Sequence, residues 1–118
     1  KIVKIGLDYL VGSMPVDQRT KQPYGILHGG ASVAFAESLG SLAANMATEN
    51  NKQCVGLDIN ANHLTRVTDG FLIGVAKPIH IGRSTHVWEI KISKESGQLV
   101  CISRLTMAVI EASPQGKT

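Results

Sequence analysis

The chain has 118 residues, a length that suits one domain and leaves too little material for two separate cores. Hydrophobic residues make up 43% of it and charged residues 18%, which is typical of a folded globular protein rather than of a disordered one. No apolar run approaches the roughly 20 residues needed to cross a bilayer, and no signal-peptide pattern opens the sequence. We therefore expect a single cytoplasmic domain over residues 1–118 with no membrane association.

The net charge of +3 comes from Lys and Arg residues that are scattered along the chain rather than gathered into one basic run. This distribution argues against nucleic acid as a partner, although two or three such cations suffice to hold a phosphate-bearing small molecule. Cys54 and Cys101 lie far apart without a partner motif. We therefore predict no disulfide, no metal and no cofactor, and we interpret both cysteines as small buried hydrophobes.

The first half of the chain predicts one strand, one long loop and one helix. Residues 2–14 mix β-branched and polar positions and predict a first strand with a bend. Residues 17–30 are rich in turn formers and carry polar side chains that no core requires. Residues 31–48 lack proline and are apolar at nearly every turn, with one charge among them, so we expect a helix that is buried on most of its surface.

The second half predicts an antiparallel sheet. Four strand-like runs follow the helix, at about residues 53–65, 71–81, 84–93 and 99–110, and their connections are short enough for hairpins. The last run is apolar on both alternating faces, so both faces should be covered, one by the helix and part of the other by a second subunit. The pattern predicts an α+β fold in which an antiparallel sheet wraps around one long central helix.

The loop before the helix ends in backbone groups that could donate hydrogen bonds to a substrate. Residues 22–30 (QPYGILHGG) run straight into the helix, and Gly29 and Gly30 stand where the first backbone N–H groups have no acceptor. Two such donors aimed at the oxygen of a thioester would each contribute about 10²–10³ in rate. The alternative is that the two glycines only shape the turn into the helix.

Glu37 is the one acid in the predicted helix, and apolar neighbours surround it. A carboxylate in such surroundings is costly, so a sequence keeps it mainly for chemistry or for an ion pair with a Lys or Arg of the sheet. Ser41 lies four residues on and shares its helix face, where it could bond the carboxylate or position a water. The alternative for Ser41 is a small packing residue that bonds back to its own helix.

Other polar residues near this point have two readings each. His28 could orient a substrate or could be a capping or core imidazole, and Gln22 could donate its amide to a carbonyl or could be solvated. His63 shares alternation with Val55, Leu57, Ile59 and Ala61, so we expect it on the inner face at the end of its strand. There it could serve the site or be a satisfied inner-face histidine.

A second group of polar residues precedes and follows the hairpin near Gly82. Lys77, Arg83 and Ser84 are expected to cluster there and to contact phosphates of a nucleotide tail, or else to be exposed turn residues. Pro78 in the same strand indicates an edge position or a bulge.

Distance constrains how Gly29 and Glu37 act together. With a rise of about 1.5 Å per residue, the two lie about 12 Å apart along one helix, too far for both to reach one carbonyl carbon. If both act on the same thioester, the glutamate must come from a second subunit. We therefore expect the site at a dimer interface.

Several distinctive runs are spread over nearly the whole chain. They are residues 14–17 (MPVD), 19–23 (RTKQP), 27–32 (LHGGAS), 36–38 (AES), 56–63 (GLDINANH) and 103–106 (SRLT). These runs resemble the bacterial hotdog thioesterases of the PaaI and Arthrobacter-type 4-hydroxybenzoyl-CoA thioesterase family, nearest its 1,4-dihydroxy-2-naphthoyl-CoA thioesterase group of menaquinone synthesis.

The resemblance implies a thioesterase that releases a free acid and coenzyme A. By this likeness Glu37 attacks the thioester or activates water, and the Gly29 amide polarises the carbonyl with help from Gln22 and His28. The remaining implied contacts to the substrate come from Gly30, Ser41, His63, Lys77, Arg83 and Ser84. The family implies a metal-free dimer of dimers, and its members carry a helix before the first strand that the printed sequence does not contain.

Two other functions use the same fold. A non-catalytic acyl-CoA-binding module would not require Glu37 beside Gln22 and His28, and a hotdog dehydratase would need a different order of histidine and acid. The carrier of the acyl group can be coenzyme A or an acyl carrier protein.

Overall fold

A computed structural model describes residues 2–5, 9–16, 29–49 and 51–112. These residues form one antiparallel sheet in the order β1-β2-β4-β5-β6-β3, with a single long helix packed across it. The α+β fold with an antiparallel sheet around one helix is therefore confirmed. The elements are β1 Ile2–Ile5, β2 Leu10–Pro15, α1 Gly29–Met46, β3 Lys52–His63, β4 Phe71–Ile81, β5 Thr85–Lys94 and β6 Leu99–Glu111.

The start of the chain differs from the prediction. β1 and β2 pair with each other antiparallel, with Ile5 opposite Leu10, so the chain reverses between them. The expected single bent strand over residues 2–14 is therefore wrong. The later strands and the helix are confirmed to within two residues at each end.

The connections between the later strands are hairpins in two cases out of three. The Gly82 N–H donates to the Thr85 carbonyl at 2.8 Å, and the Gly97 N–H donates to the Lys94 carbonyl at 2.8 Å, which closes the β4–β5 and β5–β6 hairpins. The expected β3–β4 hairpin is wrong, because β3 pairs with β6 instead. Within the described sheet, β3 is therefore an edge strand.

Small residues let α1 lie close to the sheet. A Cβ on Gly40 of the helix would lie 2.8 Å from Leu105 Cδ2 and 3.0 Å from Ile90 Cδ1, while a Cβ on Gly74 of β4 would meet Leu39 and Phe35. Leu39, Ile90 and Leu105 are buried at these contacts. Fully burying one such aliphatic side chain stabilises the folded state by about 1.5–3 kcal/mol. The core between helix and sheet consists mainly of aliphatic and small side chains, and it includes Trp88.

The opposite face of α1 is exposed in the single chain. Leu42 is 40% exposed and Met46 is 50% exposed. The expectation that the helix is buried on most of its surface is therefore wrong for one chain, because the sheet covers only one side of it. Among residues 31–46 of the helix, the exposed positions are Ala34, Glu37, Ser38, Leu42 and Met46.

The outer face of β6 is only partly covered within one chain. Val100 is buried and Ile102 is half-buried, whereas Arg104 and Ile110 are exposed. Coverage of this face by a second subunit stays a prediction.

A buried histidine lies on the inner face of β5. His86 is 2% exposed, and its Nδ1 accepts a hydrogen bond from Nε1 of Trp88 at 3.1 Å. An imidazole accepts at Nδ1 only when it is neutral. Burial, together with the nearby charge of His80, holds the pKa of His86 below its ordinary value of 6.5.

We expect Gly40→Ala to destabilise the fold by roughly 1–2 kcal/mol, because the new methyl group meets fully packed side chains and this outweighs the gain in helix propensity. Urea unfolding measures the difference. Ser38→Ala, on the exposed face of the same helix, should stay within about 0.5 kcal/mol of the parent chain. A Gly40→Ala variant as stable as the parent would contradict this packing.

We also expect stability to fall as the pH drops below about 6.5, where the unfolded chain binds a proton at His86 that the folded chain excludes. His86→Gln keeps an acceptor for Trp88 but does not titrate. The loss of unfolding free energy between pH 7.5 and pH 5 should therefore be smaller in the variant. Equal losses in the two proteins would show that His86 is not responsible.

Candidate active site

The Glu37 carboxylate lies above the edge strand of the sheet. A Cβ placed on Gly56 of β3 would lie 3.8 Å from Glu37 Oε2. The side chain is exposed in the single chain, so the expected burial of this acid is wrong for one copy. The exposed helix face therefore presents a carboxylate to whatever approaches α1 along β3.

β3 carries a bulge directly beneath this carboxylate. Gly56 pairs with Met107 and Asp58 pairs with Thr106, so Leu57 is an extra residue, and it is 64% exposed. The expected inward position of Leu57 is wrong, because the bulge changes the alternation of the strand. Sequence reasoning missed Gly56 itself, although a glycine inside a strand signals a bulge or a close approach.

His63 lies at the far end of β3 from the bulge. It pairs with Cys101, whose side chain is fully buried on the inner face, so the predicted face of His63 agrees with the register. Its side chain is exposed. Seven residues separate it from Gly56, or roughly 20 Å of strand. One copy of the chain therefore does not bring Glu37 and His63 to the same atom.

The glycines of the predicted oxyanion site open the helix. α1 begins at Gly29, so the N–H groups of Gly29 and Gly30 are among the first four, which have no acceptor within a helix. Glu37 lies on the same helix about 12 Å further along its axis, as the sequence predicted. The predicted residues Gln22 and His28 lie outside the described residues.

Ser41 occupies the turn of α1 that follows Glu37. Its side chain is half-buried, and its backbone carbonyl accepts a hydrogen bond from Asn45 Nδ2 at 2.9 Å. The position on the Glu37 side of the helix agrees with the sequence-based prediction.

The residues proposed to contact phosphates do not form one cluster. Arg83 and Ser84 lie exposed in the β4–β5 connection, whereas Lys77 lies within β4, opposite Glu89 of β5. Glu89 in turn pairs with Arg104 of β6, which makes a row of alternating charges on the outer face. The expected cluster with Lys77 is therefore wrong. The irregular pairing between Pro78 and His80 confirms the bulge predicted at Pro78.

Within residues 2–5, 9–16, 29–49 and 51–112, no group of three or more His, Cys, Asp or Glu side chains is arranged to hold a metal ion. In the same ranges, no helix is long and apolar enough to cross a membrane. Cys54 and Cys101 are free thiols in the structure, and their predicted burial is confirmed.

Comparison with known proteins decides the family. Residues 24–101 match the model of the thioesterase superfamily. The chain belongs to the thioesterase superfamily. It is 54% identical over 106 residues to the 1,4-dihydroxy-2-naphthoyl-CoA hydrolase of Escherichia coli, an alignment that covers 90% of this chain and 78% of that protein. The chain is thus a thioesterase, and the predicted family is confirmed.

Solved structures of thioesterases share its fold. A thioesterase of Haemophilus influenzae superposes with a TM-score of 0.92 at 51% identity, over 94% of this chain and 78% of that one. A Staphylococcus aureus protein, solved with one glutamate replaced by alanine, superposes with a TM-score of 0.89 at 40% identity, over 94% of this chain and 93% of that one. The hotdog fold of the thioesterase is therefore established.

Proposed function

We propose that this thioesterase hydrolyses an aroyl- or acyl-coenzyme A, with the Glu37 carboxylate as nucleophile or general base and the Gly29 amide as the donor that polarises the thioester carbonyl. The observation that carries the proposal is the placement of Glu37. It is a carboxylate on an exposed helix face, above a glycine that adjoins a strand bulge.

A spacing in a similar protein supports the roles of Gln22 and Glu37. The Staphylococcus aureus thioesterase has been solved with a glutamine replaced by alanine and, separately, with a glutamate replaced by alanine. Those two positions lie fifteen residues apart, which is also the separation of Gln22 and Glu37 in this chain. We infer that Gln22 and His28 act with Glu37.

The same carboxylate can perform the reaction in two ways. As a nucleophile it attacks the thioester carbon, expels the thiolate and leaves an anhydride that water then opens. As a general base it takes a proton from the attacking water, and the thiolate leaves as the acid forms. In both routes negative charge develops on the carbonyl oxygen, where the Gly29 N–H at the helix N-terminus stabilises it.

We propose that each site is built from two copies of the chain. On one rigid helix the Gly29 amide and the Glu37 carboxylate are too far apart to act on one carbon. An antiparallel pairing of two β3 edges centred near Ile59 would bring Gly56 of one copy, with Glu37 above it, to the level of His63 of the second copy. Glu37 of one copy and His63 of the other, which a single chain keeps apart, would then meet.

The substrate proposal follows from the relatives and from the charges near the β4–β5 hairpin. The similar Escherichia coli enzyme is a 1,4-dihydroxy-2-naphthoyl-CoA hydrolase, so we propose an aromatic acyl group and a place in menaquinone synthesis. Arg83, Ser84 and Lys77 of different copies would contact the phosphates of coenzyme A. Gly30, Ser41 and His63 would line the acyl site of a cytoplasmic dimer or dimer of dimers.

We expect Glu37→Gln to lower kcat for benzoyl-CoA by at least about 10²-fold, because an amide neither attacks the thioester nor accepts a proton from water. Substrate binding should persist, since the side chain keeps its size. Release of free thiol, followed with a colorimetric reagent, gives kcat, and calorimetric titration gives the affinity of the variant.

Glu49→Gln is the matched control, because Glu49 is an exposed acid just past the end of α1 and lies outside the proposed site. It should keep the turnover of the parent chain. Near-normal turnover in Glu37→Gln would refute the role of this carboxylate. A panel of aromatic, short and long acyl-CoA thioesters, with an aryl carrier protein thioester, would then rank the substrates.

A further inference from the structure

One amide side chain connects the end of α1 to the beginning of β3. Asn45 Nδ2 donates to the Ser41 carbonyl at 2.9 Å and to the Cys54 carbonyl at 3.3 Å. Asn45 Oδ1 accepts from the Cys54 N–H at 2.9 Å. The side-chain amide of Asn45 thus binds the N–H and the carbonyl of Cys54 in β3, and the carbonyl of Ser41 in α1.

One of these bonds stays within α1. The Asn45 side chain donates to the Ser41 carbonyl, one turn back on its own helix. The two bonds to Cys54 are of another kind, because a neighbouring strand would make the same pair. Cys54 is paired with Val109, whose own N–H points to the β5 side and donates to Ser84, so the peptide groups of Cys54 face the open edge of β3.

The bonds of Asn45 lie close to the proposed catalytic carboxylate along both α1 and β3. Along α1, Ser41 is one turn beyond Glu37, and along β3, Cys54 is two residues before Gly56. A helix is rigid over this length, so the bonds of Asn45 to Cys54 limit the rotation of α1 and its height on β3 near Glu37. A shift of about 1 Å in a reacting group can cost a factor of 10² in rate.

We propose that Asn45 is a positioning residue, which fixes α1 on β3 and thereby holds the Glu37 carboxylate above Gly56. The inference rests on the proposed role of Glu37. Asn45 itself touches no reacting atom, and it acts through the backbone of Ser41 and Cys54.

The same amide also limits how far the edge of β3 is open. Because Asn45 occupies the edge-facing groups of Cys54, a second strand can pair with β3 only beyond the bulge, along Ile59, Ala61 and His63. Asn45 thus sets both the place of Glu37 in its own chain and the first position at which another copy can pair.

The test compares Asn45→Ala and Asn45→Asp with Thr48→Val. Asn45→Ala loses the bonds to Ser41 and Cys54, and of these bonds Asn45→Asp keeps the one in which it accepts from the Cys54 N–H. Thr48→Val loses a hydroxyl that donates to the Ala44 carbonyl at 2.5 Å and contacts Cys54 Sγ, but it leaves the backbone of β3 paired. Three quantities are measured: kcat and KM for benzoyl-CoA, the urea midpoint, and hydrogen exchange of the Cys54 amide.

We expect kcat to fall roughly ten- to a hundredfold in Asn45→Ala and less in Asn45→Asp, with KM within about twofold of the parent. The Cys54 amide should exchange faster in Asn45→Ala alone. Thr48→Val should shift the urea midpoint comparably and keep kcat, which separates positioning from stability.

The proposal is overturned if kcat is unchanged in both Asn45 variants, if Thr48→Val loses kcat equally, or if the Cys54 amide stays protected in Asn45→Ala. Should Asn45→Ala not fold, kcat of Asn45→Asp decides, and a value equal to that of the parent overturns the proposal. Glu37→Gln is assayed beside them. If Glu37→Gln still turns over substrate, the role of Glu37 itself is refuted. If Glu37→Gln is inactive while the Asn45 variants stay fully active, only the positioning role of Asn45 is refuted.

Discussion

The rigidity of α1 is the constraint on which the proposed site depends. Gly29 and Glu37 are eight residues apart on one uninterrupted helix, which holds the donor and the carboxylate about 12 Å apart. A flexible loop between the two groups would allow them to converge on one thioester, but a helix does not. The fold therefore displays a carboxylate and an amide donor separately, and we propose that a second copy of the chain unites them.

The edge of the sheet determines where that second copy can approach. β3 is paired only with β6 in the described sheet, so its other side offers backbone donors and acceptors. Asn45 occupies those groups at Cys54, and the bulge at Leu57 interrupts the strand just beyond. The remaining open stretch leads to His63. Asn45 and the bulge are therefore related both to the position of the Glu37 carboxylate and to the stretch of β3 with which a second copy can pair.

Alternating hydrophobicity predicted the later strands and the helix well, because burial on one face imposes a simple period on each. It failed where the single-chain structure departs from that period. The bulge beneath Glu37 moves Leu57 out of the inner face, and the pairing of β3 with β6 could not be read from the length of the loop at Gly70. The hairpin between Ile5 and Leu10 was missed as well.

The candidate site was predicted from chemistry rather than from burial. Glu37 stood out as an isolated acid in an apolar run, yet in one copy it is exposed. An apolar helix face indicates that something covers it, but it does not identify what covers it. Asn45 and Gly56 carried no sequence signal of comparable strength, because their importance comes from a contact between a helix and a strand that are adjacent only in the fold.

Complementation between two inactive variants tests the central claim most directly. Gly29→Pro removes the proposed donor at the first helical position, where proline is tolerated, and Glu37→Gln removes the carboxylate. Each alone should be inactive toward benzoyl-CoA. When the two are unfolded together and refolded as a mixture, half of the dimers carry one intact site, so activity should recover to about a quarter of that of the parent chain. If the mixture stays as inactive as its components, both groups serve from the same chain and the two-copy site is wrong.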